Sequence, residues 1–191
     1  MGGVLVGLDG RRSIDAFNAL GCEEVARYVE EHRTEDLFYR IELGLIDTCE
    51  FCEEIRQMTA TTASTEEMVG AWNALLTGIS NNRRESLYEL RRLGYRLFLL
   101  SNTNEMHWQH CVRNGFPVDV FEQVFLSYEM HLAKPSREIF SEVLRAGRLK
   151  ASETLFVDDN PDNVSMAKRL GIQTFLNQEI EDWICFLALQ R

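Results

Sequence analysis

Residues Leu155 to Asn163, LFVDDNPDN, decide how the chain is read. Three apolar residues run into two adjacent carboxylates, a turn-forming Asn160-Pro161 pair and a further Asp162-Asn163. The run reads as a buried strand, so Asp158 and Asp159 are expected at its C-terminal end, where a helix starts. In an open parallel α/β sheet that edge is where ligands bind. Two carboxylates held side by side repel each other unless a proton or cation lies between them. Mg²⁺ suits such a place, because it takes one or two carboxylates and fills its other positions with water or phosphate oxygens. An acidic cap on a helix N-terminus reads the same residues equally well, so the rest of the chain has to decide.

At 191 residues, 45% of them hydrophobic, the chain can bury a sizeable core. A net charge of -10 and the lack of any basic run argue against nucleic acid as a partner. Five cysteines, Cys22, Cys49, Cys52, Cys111 and Cys185, at irregular spacing fit free thiols in a reducing compartment. Cys49 and Cys52 form a lone CxxC inside a helical pattern and are expected to be buried thiols rather than metal ligands. The sequence contains neither a signal-peptide pattern nor an apolar run of about 18 residues. A cytoplasmic protein without a membrane span is expected, and its oligomeric state is not legible.

Outward from the acidic pair the grammar is regular. YRLFLLSN closes on Ser101-Asn102, a helix spans Asn104 to Asn114, and QVFLS, Gln123 to Ser127, is a strand. SREIFSEVLRAG is a helix, LFVDD a strand, Asp162 to Leu170 a helix, IQTFL a strand and Glu179 to Leu189 a helix. Alternation with short connections predicts an α/β fold, a Rossmann-like doubly wound parallel sheet with helices on both faces. Residues 11 to about 81 read as wholly helical. Gly21 and Gly44 are expected as stops, Thr34 and Asp47 as starts, and Ser64 with Glu67 as a capping box. Phe17, Phe38, Tyr39, Phe51 and Trp72 recur at helical spacing and are expected in a helix-bundle core.

Three polar sites thus fall just beyond strand ends: Ser101-Asn102, Lys134 and Asp158-Asp159. Ser101 offers a hydroxyl, and the amides that follow it can bind an anion, although it could equally cap the helix from Asn104. Lys134 alone would pass for a solvated surface lysine. Together, a hydroxyl, a lysine and an acidic pair make the kit for phosphoryl transfer through an aspartyl intermediate.

With these residues the sequence resembles the haloacid dehalogenase (HAD) superfamily. LLSNTN is similar to its second motif, AKPSREIF with Lys134 to its third, LFVDDNPDN to its fourth, and MGGVLVGLD to the end of its first. The resemblance spans the chain and is strongest to the branch of bacterial sugar-phosphate phosphatases and the phosphatase domain of soluble epoxide hydrolases. It implies an α/β core of residues 1–10 and 82–191, with an inserted helical-bundle cap of residues 11–81. It also implies Mg²⁺ held by Asp159 and the Gly2 carbonyl, with Asp158 and Asn163 supporting metal and lysine. Ser101 and Asn102 would then hold phosphate, Lys134 would neutralise charge, and the substrate would be a small phosphorylated metabolite.

Two departures from the family pattern qualify this. Aligning GGVL places the family's nucleophilic Asp immediately before Met1, together with the apolar strand that carries it. The natural protein is therefore expected to start upstream; a catalytically inactive phosphate-binding or protein-interaction member is the alternative. Where many family members carry an acid two residues after the nucleophile, this chain has Gly2, so leaving-group protonation needs another donor, a cap residue or water. None of His32, His107, His110 and His131 belongs to a motif. Dehalogenation is disfavoured, since it needs no Mg²⁺ site.

Overall fold

A computed structural model describes residues 1–30, 37–179 and 182–189. The expected start at Thr34 lies outside them. In chain order the elements begin with β1 (Gly7–Leu8), α1 (Gly10–Ala19), α2 (Glu23–Glu30) and α3 (Leu37–Glu42). They continue with α4 (Thr48–Thr59), α5 (Thr65–Asn73), β2 (Leu76–Gly78), α6 (Asn81–Arg92) and β3 (Phe98–Ser101). Next come α7 (Glu105–Arg113), β4 (Gln123–Leu126), the single turn α8 (Ser127–Met130), α9 (Arg137–Ala146) and β5 (Leu155–Asp158). Helix α10 (Pro161–Arg169), strand β6 (Gln173–Leu176) and α11 (Asp182–Leu189) complete the chain. Among the described residues no helix is long and apolar enough to cross a membrane.

The parallel strands form two ladders. β3 pairs with β4 from Phe98 opposite Gln123 to Ser101 opposite Leu126. β5 pairs with β6 from Leu155 opposite Gln173 to Asp158 opposite Leu176. Among the described residues β3 and β5 are not hydrogen-bonded to each other, so the expected continuous sheet is found as two pairs. Both registers end on a site residue, which places Ser101 and Asp158 at the same, C-terminal edge. Leu99 belongs to an apolar cluster with Met1, Val4, Leu5, Val6, Trp108 and Trp183, and Val157 packs against it.

The helical region departs from its reading in two places. A third pair, antiparallel, joins β1 to β2, and β2 lies inside the stretch read as wholly helical. Helix α5 stops at Asn73 because Leu76 leaves it to pair with Leu8 and to bury itself in the cluster around Met1. Gly78 then takes φ +86°, in the left-handed region that favours glycine. Tyr39, expected in the core, is half exposed, because the inward positions of α3 are Leu37 and Ile41. The capping box at Ser64/Glu67 forms as read, and Asp47 starts α4 as read and also closes a capping box with Glu50, while the cap of α7 is Asn104 rather than Ser101. Cys52 is buried but Cys49 is exposed, on the outer face of α4.

The α1–α5 helices share one cluster built on Phe17, Phe51, Ile55 and Met68, and Met106 of α7 enters it. His107 sits at this joint, stacked on Trp72 at 4.9 Å between ring centroids. Its Nε2 donates to the Trp72 carbonyl (3.1 Å), and its Nδ1 accepts from the Asn104 amide (3.3 Å). Both roles suit a neutral ring, and burial lowers the pKa from 6.5 to about 4. Because the folded value lies below the unfolded one, the stability linked to His107 is complete above about pH 6.5. It is lost as pH falls towards 4, by about 3 kcal/mol in all. Urea midpoints measured from pH 7.5 to 4.5 check this: the fall is expected to shrink markedly in His107→Gln.

Candidate active site

The centre of the site is an ion pair. Lys134 Nζ lies 2.6 Å from Asp158 Oδ2, and each side chain is only 5% exposed. The ammonium also donates to the Leu100 carbonyl (3.4 Å), which ties the end of β3 to the end of β5. The remaining oxygen of Asp158, Oδ1, accepts from Asn163 Nδ2 (2.8 Å) and from the Asn160 backbone (3.0 Å). Burial disfavours the charged carboxylate, but the lysine and these hydrogen bonds outweigh it and hold Asp158 below the usual carboxylate range.

Asn102 fixes the lysine from behind. Its amide donates to the Lys134 carbonyl (2.9 Å) and accepts from the Lys134 amide (2.8 Å). The side chain of Asn102 is thereby committed to the protein. Ser101 is 1% exposed, with its hydroxyl on the Asn102 carbonyl (3.2 Å). Asn163 likewise spends its amide nitrogen on Asp158. Ser101, Asn102, Lys134, Asp158 and Asn163 therefore form one connected group.

Asp159 points elsewhere. It is exposed, and its carboxylate faces the Gly2-Gly3 turn so closely that a Cβ at Gly3 would fall 2.1 Å from Oδ2. Gly3 has φ +73°, so both space and backbone require glycine there. The turn's hydrogen bonds, Gly3 N to Val6 O and Leu5 and Val6 N to Met1 O, use the carbonyls of Met1 and Val6. They leave that of Gly2 unused among the described residues. An exposed carboxylate packed against a side-chain-free turn whose Gly2 carbonyl is unused offers oxygen donors only. It fits Mg²⁺, which keeps water or phosphate oxygens for its other positions. The Met1 backbone nitrogen is buried within electrostatic reach of Lys134, Asp158 and Asp159.

Three supports of the site carry no motif and escaped the sequence reading. Asn177 donates to the Gly3 carbonyl (3.1 Å) and accepts from the Trp183 amide (3.0 Å). Arg83 NH1 donates to the Leu5 carbonyl. The Ser127 hydroxyl accepts from the Thr103 amide (2.9 Å) and donates to the Glu42 carbonyl (2.6 Å). Asn177 is 1% exposed, so Asn177→Ala is expected to cost about 1–3 kcal/mol by stranding buried partners. The check is a denaturant midpoint.

A buried lysine–aspartate pair and an exposed second aspartate thus stand at the C-terminal edge of the parallel strands of an α/β protein. A model of the haloacid dehalogenase-like hydrolases matches residues 11–171, and the chain belongs to that family. D-ribitol-5-phosphate phosphatase of Bacteroides thetaiotaomicron is 30% identical over 188 residues, 95% of this chain and 91% of that protein. A HAD family enzyme from the same organism was solved as an aspartate-to-alanine form with magnesium and inorganic phosphate. It superposes with a TM-score of 0.93 at 37% identity, covering 98% of this chain and 95% of that one. A HAD-like hydrolase structure from Porphyromonas gingivalis gives 0.85 at 31% identity, over 99% and 94%.

Proposed function

We propose that this hydrolase is a Mg²⁺-dependent phosphatase of small phosphorylated metabolites, polyol or sugar phosphates, and that its attacking carboxylate belongs to the residue before Met1. The observation that carries the reading is the Lys134–Asp158 pair set between Ser101 and the Asp159–Gly3 turn. Phosphate-ester chemistry in the similar Bacteroides phosphatase, and bound magnesium and phosphate in the similar structure, support it. Support for the upstream carboxylate comes from Met1. Its backbone nitrogen lies within electrostatic reach of Lys134, Asp158 and Asp159, and its side chain shares one apolar cluster with Leu99 of β3. A strand ahead of Met1 would run between the two parallel ladders.

In this mechanism Ser101 and the backbone amides after it hold the phosphoryl oxygens. Lys134, neutralised from behind by Asp158, keeps its ammonium fixed beside them. Asn102 and Asn163 prevent the pair from turning away. Asp159 and the Gly2 carbonyl would hold Mg²⁺, which when bound screens the charge of carboxylate and phosphate. The upstream carboxylate attacks phosphorus, and water then hydrolyses the acyl phosphate. The helical segment of residues 11–81 acts as the cap over this edge. For residues 1–191 alone, phosphate binding without turnover is the second reading. One observation favours it: among the described residues no three His, Cys, Asp or Glu side chains group as a metal site.

The test is p-nitrophenyl phosphate turnover with Mg²⁺ or with a chelator, for residues 1–191 and for a form extended through the upstream codons. Turnover confined to the extended form with Mg²⁺ supports the proposal. Equal turnover by both forms, or none by the extended one, refutes it.

A further inference from the structure

Hydrolysis of an alkyl phosphate breaks the bond from phosphorus to the ester oxygen, and the electron pair leaves on that oxygen. An alkoxide is a poor leaving group, so a proton must reach it in the same step. The two acids at the strand end are not suited to give one. Asp158 has both oxygens bound to donors and is held ionised. Asp159 faces the Gly2-Gly3 turn on the other side.

A third carboxyl, that of Glu42, lies within electrostatic reach of Lys134. Glu42 ends α3, and the core holds the backbone at this point through two bonds: Ser127 Oγ to the Glu42 carbonyl (2.6 Å) and His131 Nδ1 to the Leu43 carbonyl (2.8 Å). The next residue, Gly44, passes so close that a Cβ there would fall 2.1 Å from the Tyr128 carbonyl. This seam fixes the Glu42 backbone one hydroxyl away from Thr103, in the loop that follows Ser101-Asn102. A cavity of about 310 Å³ opens beside it, between Ile41, Gly44, Leu45 and Ile46 on one wall and Glu105 and Tyr128 on the other. Among the described residues no donor is hydrogen-bonded to the Glu42 carboxyl. Burial raises its pKa, and the charge that opposes this is that of Lys134. An ionised Glu42 here would repel a phosphate, whereas a protonated one can donate to it.

We propose that Glu42 is the proton donor to the leaving-group oxygen, a role that rests on the phosphatase reading above. As the phosphorus–oxygen bond breaks, the Glu42 proton passes to the departing alcohol. When water attacks the acyl phosphate, the Glu42 carboxylate takes a proton from that water and returns to its starting state. Protons and electron pairs balance over the two steps without another reactant.

The test is the leaving-group dependence of kcat/KM with Mg²⁺ in the upstream-extended chain, over aryl phosphates from p-nitrophenyl to phenyl. Glu42→Gln is expected to keep kcat/KM for p-nitrophenyl phosphate within about threefold, because that phenolate leaves without a proton and kcat/KM reports the steps before the acyl phosphate is hydrolysed, while kcat falls on every ester with the loss of the base. The loss should grow to about 100-fold on phenyl phosphate. Glu42→Asp, which keeps the acid, should fall between Gln and wild type. A loss that is equal across the series, or absent throughout, would overturn the donor role. A wild-type chain inactive on every ester would instead overturn the phosphatase reading and this role with it.

Discussion

Lys134→Ala is expected to be the most damaging single substitution in the chain, removing turnover and lowering stability together. The ammonium is 5% exposed and 2.6 Å from an equally buried carboxylate. Deleting one member of a buried pair leaves the other charge uncompensated, at a cost of about 3–5 kcal/mol. Asp158 would keep its bonds to Asn163 and Asn160, which favour ionisation but carry no charge to balance it. Replacing both members with apolar residues, Lys134→Met with Asp158→Leu, is therefore expected to be more stable than Lys134→Ala while remaining inactive. Denaturant midpoints of the wild type, the single and the double variant check this. A single variant as stable as wild type would show that the pair does not hold the two strand ends together.

Asp159→Asn should separate function from stability. Asp159 is exposed and faces a turn instead of a donor network. Its charge therefore does little for the fold, and the melting midpoint should be essentially unchanged. In the proposed site the same charge is the carboxylate of the Mg²⁺ donor set. Its loss is expected to cut kcat of the upstream-extended chain roughly 10³-fold, the scale set by several kcal/mol of charge stabilisation. Steady-state kinetics against Mg²⁺ concentration check this, and an activity within tenfold of wild type would remove Asp159 from the site. The contrast between two neighbouring aspartates, one buried in an ion pair and one exposed against the glycine turn, follows from which side of the strand end each faces.

Much of this was legible in the sequence because it is local. LFVDDNPDN carries strand, turn and helix start within nine residues, and the structure forms β5, the Asn160 cap and α10 from it. Alternation of apolar runs with helical patterns placed Ser101 and Asp158 at one edge without coordinates. What escaped is tertiary. Ser127 meets Glu42 across 85 residues, and Asn177 meets Gly3 across 174; a single polar side chain at such range has no periodicity to betray it. Strand β2 escaped because Leu76-Thr77-Gly78 continues a helical pattern and becomes a strand only where Leu8 offers an edge. Tyr39 was misplaced for a related reason: helical spacing shows which residues share a face but not which face turns inward.

The central claim is that Ser101, Lys134 and Asp159 form one site in which phosphate is held together with Mg²⁺. Calorimetric titration of inorganic phosphate into residues 1–191, with and without Mg²⁺, tests it most directly, since binding does not need the attacking carboxylate. The account predicts phosphate binding that Mg²⁺ strengthens at least tenfold and that Asp159→Asn makes insensitive to Mg²⁺. Phosphate binding of equal strength with and without Mg²⁺ in the unaltered chain, or no binding under either condition, would contradict it.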